Sequence, residues 1–210
     1  MTVSRRDYPS STLYQDGRQS VAQQLKDATG VLHRQLDSHT LVRALARSEL
    51  NETDHEQLLA AFYHAYQQLE TQLIHFADQY TIDAPYTPRL PCLAHALSLP
   101  HTYSEQSITE LTPSAYWGAR YVVDGSCHGA KVLLPRLQIR LGDDHPGLEY
   151  WRLLARQNEH WPAVVKRLNS FEADDRLVNA CVQAAASTFQ CFLSALPSAV
   201  TGPHQKQTVE

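Results

Sequence analysis

Apolar residues recur along most of this chain at three- and four-residue intervals, the period of a helix that buries one face. Val21, Leu25, Ala28, Leu32 and Leu36 form the first such stripe, in a helix that starts near Gln19. A longer stripe holds Leu58, Leu59, Phe62, Tyr66, Leu69, Leu73 and Phe76. It predicts a helix from Thr53 to about Tyr80, with Asn51 or Thr53 as its cap. Prolines punctuate the next stretch, which has room for short helices around Leu93–Leu97 and Ser104–Glu110. A further helix is predicted from Ala115 to about Leu133, with Pro135 disturbing its end. Leu148–Arg156, Trp161–Phe171 and Asp174–Leu196 complete the series. The last of these opens on "EADD", acidic charge that favours a helix N-terminus. No strand alternation of useful length, repeat or low-complexity tract interrupts the pattern. The reading is an all-α domain over residues 19–196. A polar N-terminal tail, taken as flexible, precedes it over 1–18, and a polar C-terminal tail follows over 197–210.

Length and charge narrow the class. At 210 residues the chain reads as one domain able to bury roughly 70% of its unfolded surface. Lys and Arg number 18 against 22 Asp and Glu, and no basic run exceeds two residues, so neither nucleic acid nor a membrane surface is indicated as a partner. Met1–Pro9 lacks the apolar core of a signal peptide, and no stretch has the apolar length of a membrane span. Cys92, Cys127, Cys181 and Cys191 form no CxxC pair and read as buried free thiols of a cytoplasmic protein.

Candidate chemistry begins with two glycines inside a predicted helix. In "YVVDGSCHGAKVLL", Gly125 and Gly129 stand one turn apart beside Ser126 and Ala130. Each costs a helix roughly 0.5–1 kcal/mol relative to alanine, so something approaches this backbone closely. Either another helix or a ligand satisfies that requirement, and the spacing alone does not choose between them. On the first helix, at about 100° per residue from Val21, Thr29 falls near 80°, His33 near 120° and Lys26 near 140°. Lys26 and His33 thus share one edge of the apolar face, about 10.5 Å apart along the axis. A cation and an imidazole so placed suit a flat anionic ligand, or they are a solvated lysine and a boundary histidine.

Other patterns fall short. Glu52 and His55 make one ExxH where a di-iron bundle needs two. Cys92/His95 and Cys127/His128 assemble no zinc pattern. His39, His75, His101, His145 and His160 read as surface or boundary residues. GxSxG, P-loop and GxGxxG motifs are missing.

Three stretches together resemble the heme oxygenase family. "LKDATGVLHRQLD" (Leu25–Asp37) is similar to its first-helix motif, in which the histidine is the proximal iron ligand. "FYHAYQQLE" (Phe62–Glu70) resembles the second-helix pattern, and "YVVDGSCHGAKVL" the distal helix of bacterial members. Weaker similarity continues through "WRLLARQNEHWPAVVKRL" to the last helix.

The resemblance implies a fold that holds heme between the first helix and a glycine-containing distal helix. It also implies His33 as iron ligand, Gly125, Ser126, Gly129 and Ala130 as the distal wall, and Lys26 and Tyr121 as propionate partners. Thr29 joins the cofactor-facing set, and Tyr63 joins the catalytic set through a distal water network. The implied activity is cleavage of heme, with O2 and electrons, to biliverdin, CO and ferrous iron at the α-meso carbon. An external ferredoxin or flavoprotein reductase would supply the electrons, and a bilin-using photoreceptor could take the product. A heme-binding protein of the same fold without enzymatic activity, for storage, transfer or sensing, is the alternative.

Two positions depart from the family pattern. His128 stands where bacterial members usually carry leucine, and reads as a packing variant, a contributor to the water network or a second axial ligand. "CLAHALSLP" lacks the usual Asp-Leu and terminal glycine, which bears on the connection it occupies more than on the iron site.

Overall fold

A computed structural model describes residues 19–80, 82, 84–100, 103, 110–171 and 174–198. Among these the architecture is all helical. The helices are α1 (Val21–Ser38), α2 (Thr40–Arg47), α3 (Glu52–Gln79), α4 (Leu90–Ala96), α5 (Pro113–Gly125), α6 (Cys127–Leu141), α7 (Leu148–Arg156), α8 (Trp161–Asn169) and α9 (Asp175–Ala195). A 3-10 turn, Gln157–Glu159, links α7 to α8.

Local chemistry sets most of the boundaries. Ser20, Asn51, Thr112 and Asp174 cap α1, α3, α5 and α9, each side-chain oxygen accepting a first-turn backbone N–H. Pro113 supplies the preset φ favoured at a first helical position. Ser48 ends α2 in a left-handed conformation, φ 60°.

The sequence expectations need four adjustments. α2 was not anticipated. The helix expected over residues 115–133 is two helices meeting at Ser126, and the second passes Pro135 to reach Leu141. Ala28 is exposed, and the buried stripe of α1 is Val21, Leu25 and Thr29, with Leu32 and Leu36 half-buried beside it. Cys127 and Cys181 are buried, but Cys92 and Cys191 are only partly so. The helix expected over residues 104–110 lies, apart from Glu110, outside the described residues.

α9 is the floor of the molecule. Both α1 and α5 pack chiefly on it, and α8 touches the same two helices. The amide of Ala22 at the start of α1 donates to Asn169 Oδ1 at the end of α8 (3.1 Å). The predicted first and distal helices are thus held by shared neighbours. Gly118 explains how closely α5 approaches the floor. A Cβ there would lie 2.2 Å from the carbonyl oxygen of Cys181 on α9.

Candidate functional site

His33 lies on α1 with more than half of its side chain exposed, near Phe189 of α9 (ring centroids 5.7 Å). Its Nδ1 is 2.9 Å from the carboxylate of Asp37, one turn on. That hydrogen bond, with the charge of Asp37, raises the imidazole pKa against the opposing effects of burial and Arg34. A carboxylate at Nδ1 holds the proton there and leaves Nε2 as the nitrogen able to meet a metal. Lys26 is exposed on the same helix. Thr29 is buried and its hydroxyl donates to the carbonyl of Leu25 (2.7 Å), so it belongs to the packed side of α1.

The α5–α6 junction carries the glycines. The Ser126 hydroxyl donates to the carbonyl of Val123 (2.6 Å), a local bond that competes with the helix ladder where it is interrupted. A Cβ on Gly125 would meet Trp161 of α8 at 3.5 Å, ordinary contact, and one on Gly129 would meet nothing within 4 Å among the described residues. Neither glycine is required by a neighbouring helix, in contrast to Gly118. Tyr121 and His128 face the same Trp161, with ring centroids at 5.7 and 5.2 Å. Burial first, and Lys131 second, lower the pKa of His128, opposed by a hydrogen bond with Asn158. Ala130 is wholly buried.

Trp161 therefore gathers Tyr121, Gly125 and His128, an association no sequence pattern announced. Tyr63 is engaged elsewhere. Its hydroxyl donates to the carbonyl of Pro100 (2.8 Å) and accepts from Gln67 (3.1 Å).

A second feature missed in the sequence lies directly behind the junction. Arg89, Arg120, Asp124 and Glu70 are all buried and balance two charges of each sign. One carboxylate oxygen of Asp124 accepts from Arg89 and the other from Arg120. Arg120 also donates to the Ala84 carbonyl (3.0 Å) and the Tyr116 hydroxyl (2.6 Å). Glu70 accepts from the Tyr86 hydroxyl (2.7 Å) and from the amides of Leu90 (2.9 Å) and Arg89. Burial still pushes its pKa up, against those donors. Removing one member of such a buried set costs about 3–5 kcal/mol. The i, i+4 spacing of Arg120 and Asp124 was the available sequence signal.

Among the described residues no group of three or more His, Cys, Asp or Glu could hold a metal ion. A groove of about 440 Å3 beside α6 is lined by Lys131, Leu134, Arg152 and Arg156, among others, and includes none of the predicted site residues. A single-histidine site with a small-residue wall suits a prosthetic group that brings most of its own coordination. The exposed imidazole and the uncrowded side of Gly129 fit heme in that respect.

The helical arrangement is that of heme-degrading enzymes. It is similar to the structure of heme oxygenase from Leptospira interrogans, with TM-score 0.65 and 16% identity over 84% of this chain and 98% of that one. It is also similar to the NO- and CO-bound heme oxygenase from Neisseria meningitidis, with TM-score 0.60 and 18% identity over 84% and 90%. No curated protein sequence matches. The family model described as heme oxygenase matches residues 19–123, half of the chain. The chain belongs to the heme oxygenase family of heme-degrading oxidoreductases. The matched span includes His33 and stops just short of the glycine pair.

Proposed function

We propose that this protein is a heme oxygenase that holds heme between α1 and the α5–α6 segment. His33 Nε2 binds the iron, and Gly125, Ser126 and Gly129 cover the opposite face. Lys26 and Tyr121 meet the propionates, while Tyr63, its hydroxyl held by Pro100 and Gln67, stays outside this set. The observation that carries this reading is the contrast among glycines. Gly118 is demanded by α9, whereas nothing among the described residues demands Gly125 or Gly129. A ligand close to the junction gives them a reason.

When bound, heme supplies the redox centre and the ring carbon that is oxidised. The chain supplies the rest. Asp37 fixes the His33 tautomer, and the glycines would let the junction backbone approach a bound heme closely and favour one edge of its ring. Lys26 and Tyr121 set the in-plane orientation, for which the product is biliverdin opened at the α-meso carbon, with CO and ferrous iron. Electrons come from a ferredoxin or flavoprotein reductase, since the sequence carries no flavin or nicotinamide motif. Among the described residues no helix is long and apolar enough to cross a membrane. We place the protein in the cytoplasm, where the product serves a bilin photoreceptor or the iron is recovered.

A hemin titration followed by addition of an electron donor in air tests this directly. A saturable 1:1 Soret band, lost in His33→Ala, followed by biliverdin formation is the expected result. The edge-on packing of His128 against Trp161 supports a packing role for that residue. A stable bis-histidine spectrum without ring opening would instead make His128 an axial ligand and the protein a heme carrier or sensor.

A further inference from the structure

The junction that carries Gly125 and Gly129 is fixed from behind by charge. Asp124 is the residue immediately before Gly125, and its two carboxylate oxygens are taken by two guanidiniums from different parts of the chain. Arg120 lies one turn back on α5. Arg89 caps α4, and its own backbone amide is held by Glu70 of α3. The carboxylate cannot turn without losing a partner, and neither guanidinium can follow it, because each is bonded to further groups. Arg120 holds the Ala84 carbonyl and the Tyr116 hydroxyl, and Arg89 holds the Thr87 carbonyl. Near the middle of α5, Gly118 lies against the α9 backbone. The helix is thus held at its middle and at its C-terminal end, and α5 gives way to α6 at Ser126, directly after the second pin, where the Ser126 hydroxyl takes the Val123 carbonyl.

We propose that the buried Arg89–Asp124–Arg120 clamp, backed by Glu70, is a positioning device that sets the direction in which the α5–α6 junction presents Gly125 and Gly129. The clamp touches neither ligand nor reacting atoms. It acts through the backbone of the residue that follows it, and so governs which ring edge that backbone favours. This inference rests on the functional reading above for its consequence, but not for its structural content.

Asp124→Asn keeps the shape and removes the charge. Leu45→Ala on α2, a buried residue outside the clamp, serves as a control of comparable thermal destabilisation. In the heme-free protein, amide hydrogen exchange over residues 126–130 should accelerate about tenfold or more in Asp124→Asn relative to the control. In the heme-loaded protein the same variant should yield a second biliverdin isomer and a shifted Fe–CO stretch, and Leu45→Ala neither. Should Asp124→Asn fail to fold, Arg120→Lys, which keeps the charge and loses the fork, is carried through the same measurements. Unchanged exchange at the junction and an unchanged isomer ratio in the folded variant would overturn the proposal. Wild-type protein that binds no heme would overturn the functional reading alone, leaving the exchange result to decide the clamp.

Discussion

At the scale of single residues, the glycines of α5 and α6 make opposite predictions. Gly118→Ala would drive a Cβ into the backbone of Cys181, which cannot swing aside as a side chain could. The heme-free protein should lose at least about 2 kcal/mol of stability. Gly129→Ala meets open space and gains helix propensity, so the heme-free protein should be as stable as wild type or gain about 0.5 kcal/mol. Its heme affinity or turnover should nevertheless fall, because the methyl occupies the approach the glycine leaves open. Paired denaturation curves and heme titrations check both halves. A Gly129→Ala variant with undiminished binding and turnover would remove that residue from the site. The sequence displayed Gly125 and Gly129 because they interrupt a run of helix formers. It hid Gly118, since tight contact with a helix some sixty residues later leaves no local trace.

At the scale of elements, the entry to α3 is tied to the connection between α6 and α7 through a buried neutral histidine. His55 is almost fully enclosed, and its Nε2 accepts the indole N–H of Trp151 on α7 (3.0 Å). Its ring lies edge-on to His145 (centroids 5.6 Å), whose Nδ1 accepts the Gly147 amide (3.1 Å) and whose Nε2 is 3.6 Å from Glu52. Burial, with a smaller push from His145, lowers the His55 pKa to about 4 from an ordinary 6.5. A depressed histidine pKa means the unfolded chain takes up the proton first as pH falls. Stability contributed by the neutral ring is therefore complete above about pH 6.5 and is lost progressively down to about pH 4. The loss is on the order of 3 kcal/mol. Denaturant titrations at pH 7, 5.5 and 4.5 should show this slope in wild type and its attenuation in His55→Gln. Parallel slopes would mean that His55 is not the group responsible. Helical periodicity located α3 correctly. It gave no sign of His55, because a polar residue buried through one hydrogen bond resembles any boundary residue. Residues 40–47 were missed for a related reason. Eight residues separated from α1 by a single one supply too little period to stand out, and the Ser48 turn is not encoded by glycine.

At the scale of the whole molecule, the fold class was legible because one-sided helical periodicity runs through nearly the entire described chain. His33, the proposed iron ligand, stood out through its resemblance to a family motif. What escaped was what long-range contact creates: α9 as a shared floor, Trp161 over the junction, and the buried charges behind Asp124. Those contacts also determine where a ligand should add stability. α1 and α5 are each anchored to α8 and α9, so heme bound to His33 and lying under Gly125 and Gly129 would add a link between them. At heme concentrations about a hundredfold above Kd, mass action alone contributes roughly 2.7 kcal/mol. The melting temperature should rise accordingly, and the rise should shrink sharply in His33→Ala. Slowed hydrogen exchange on heme addition should concentrate in α1 and the α5–α6 junction and spare α4 and the start of α3. Protection spread evenly over the surface, or retained in His33→Ala, would mean adventitious adsorption and would place the heme elsewhere.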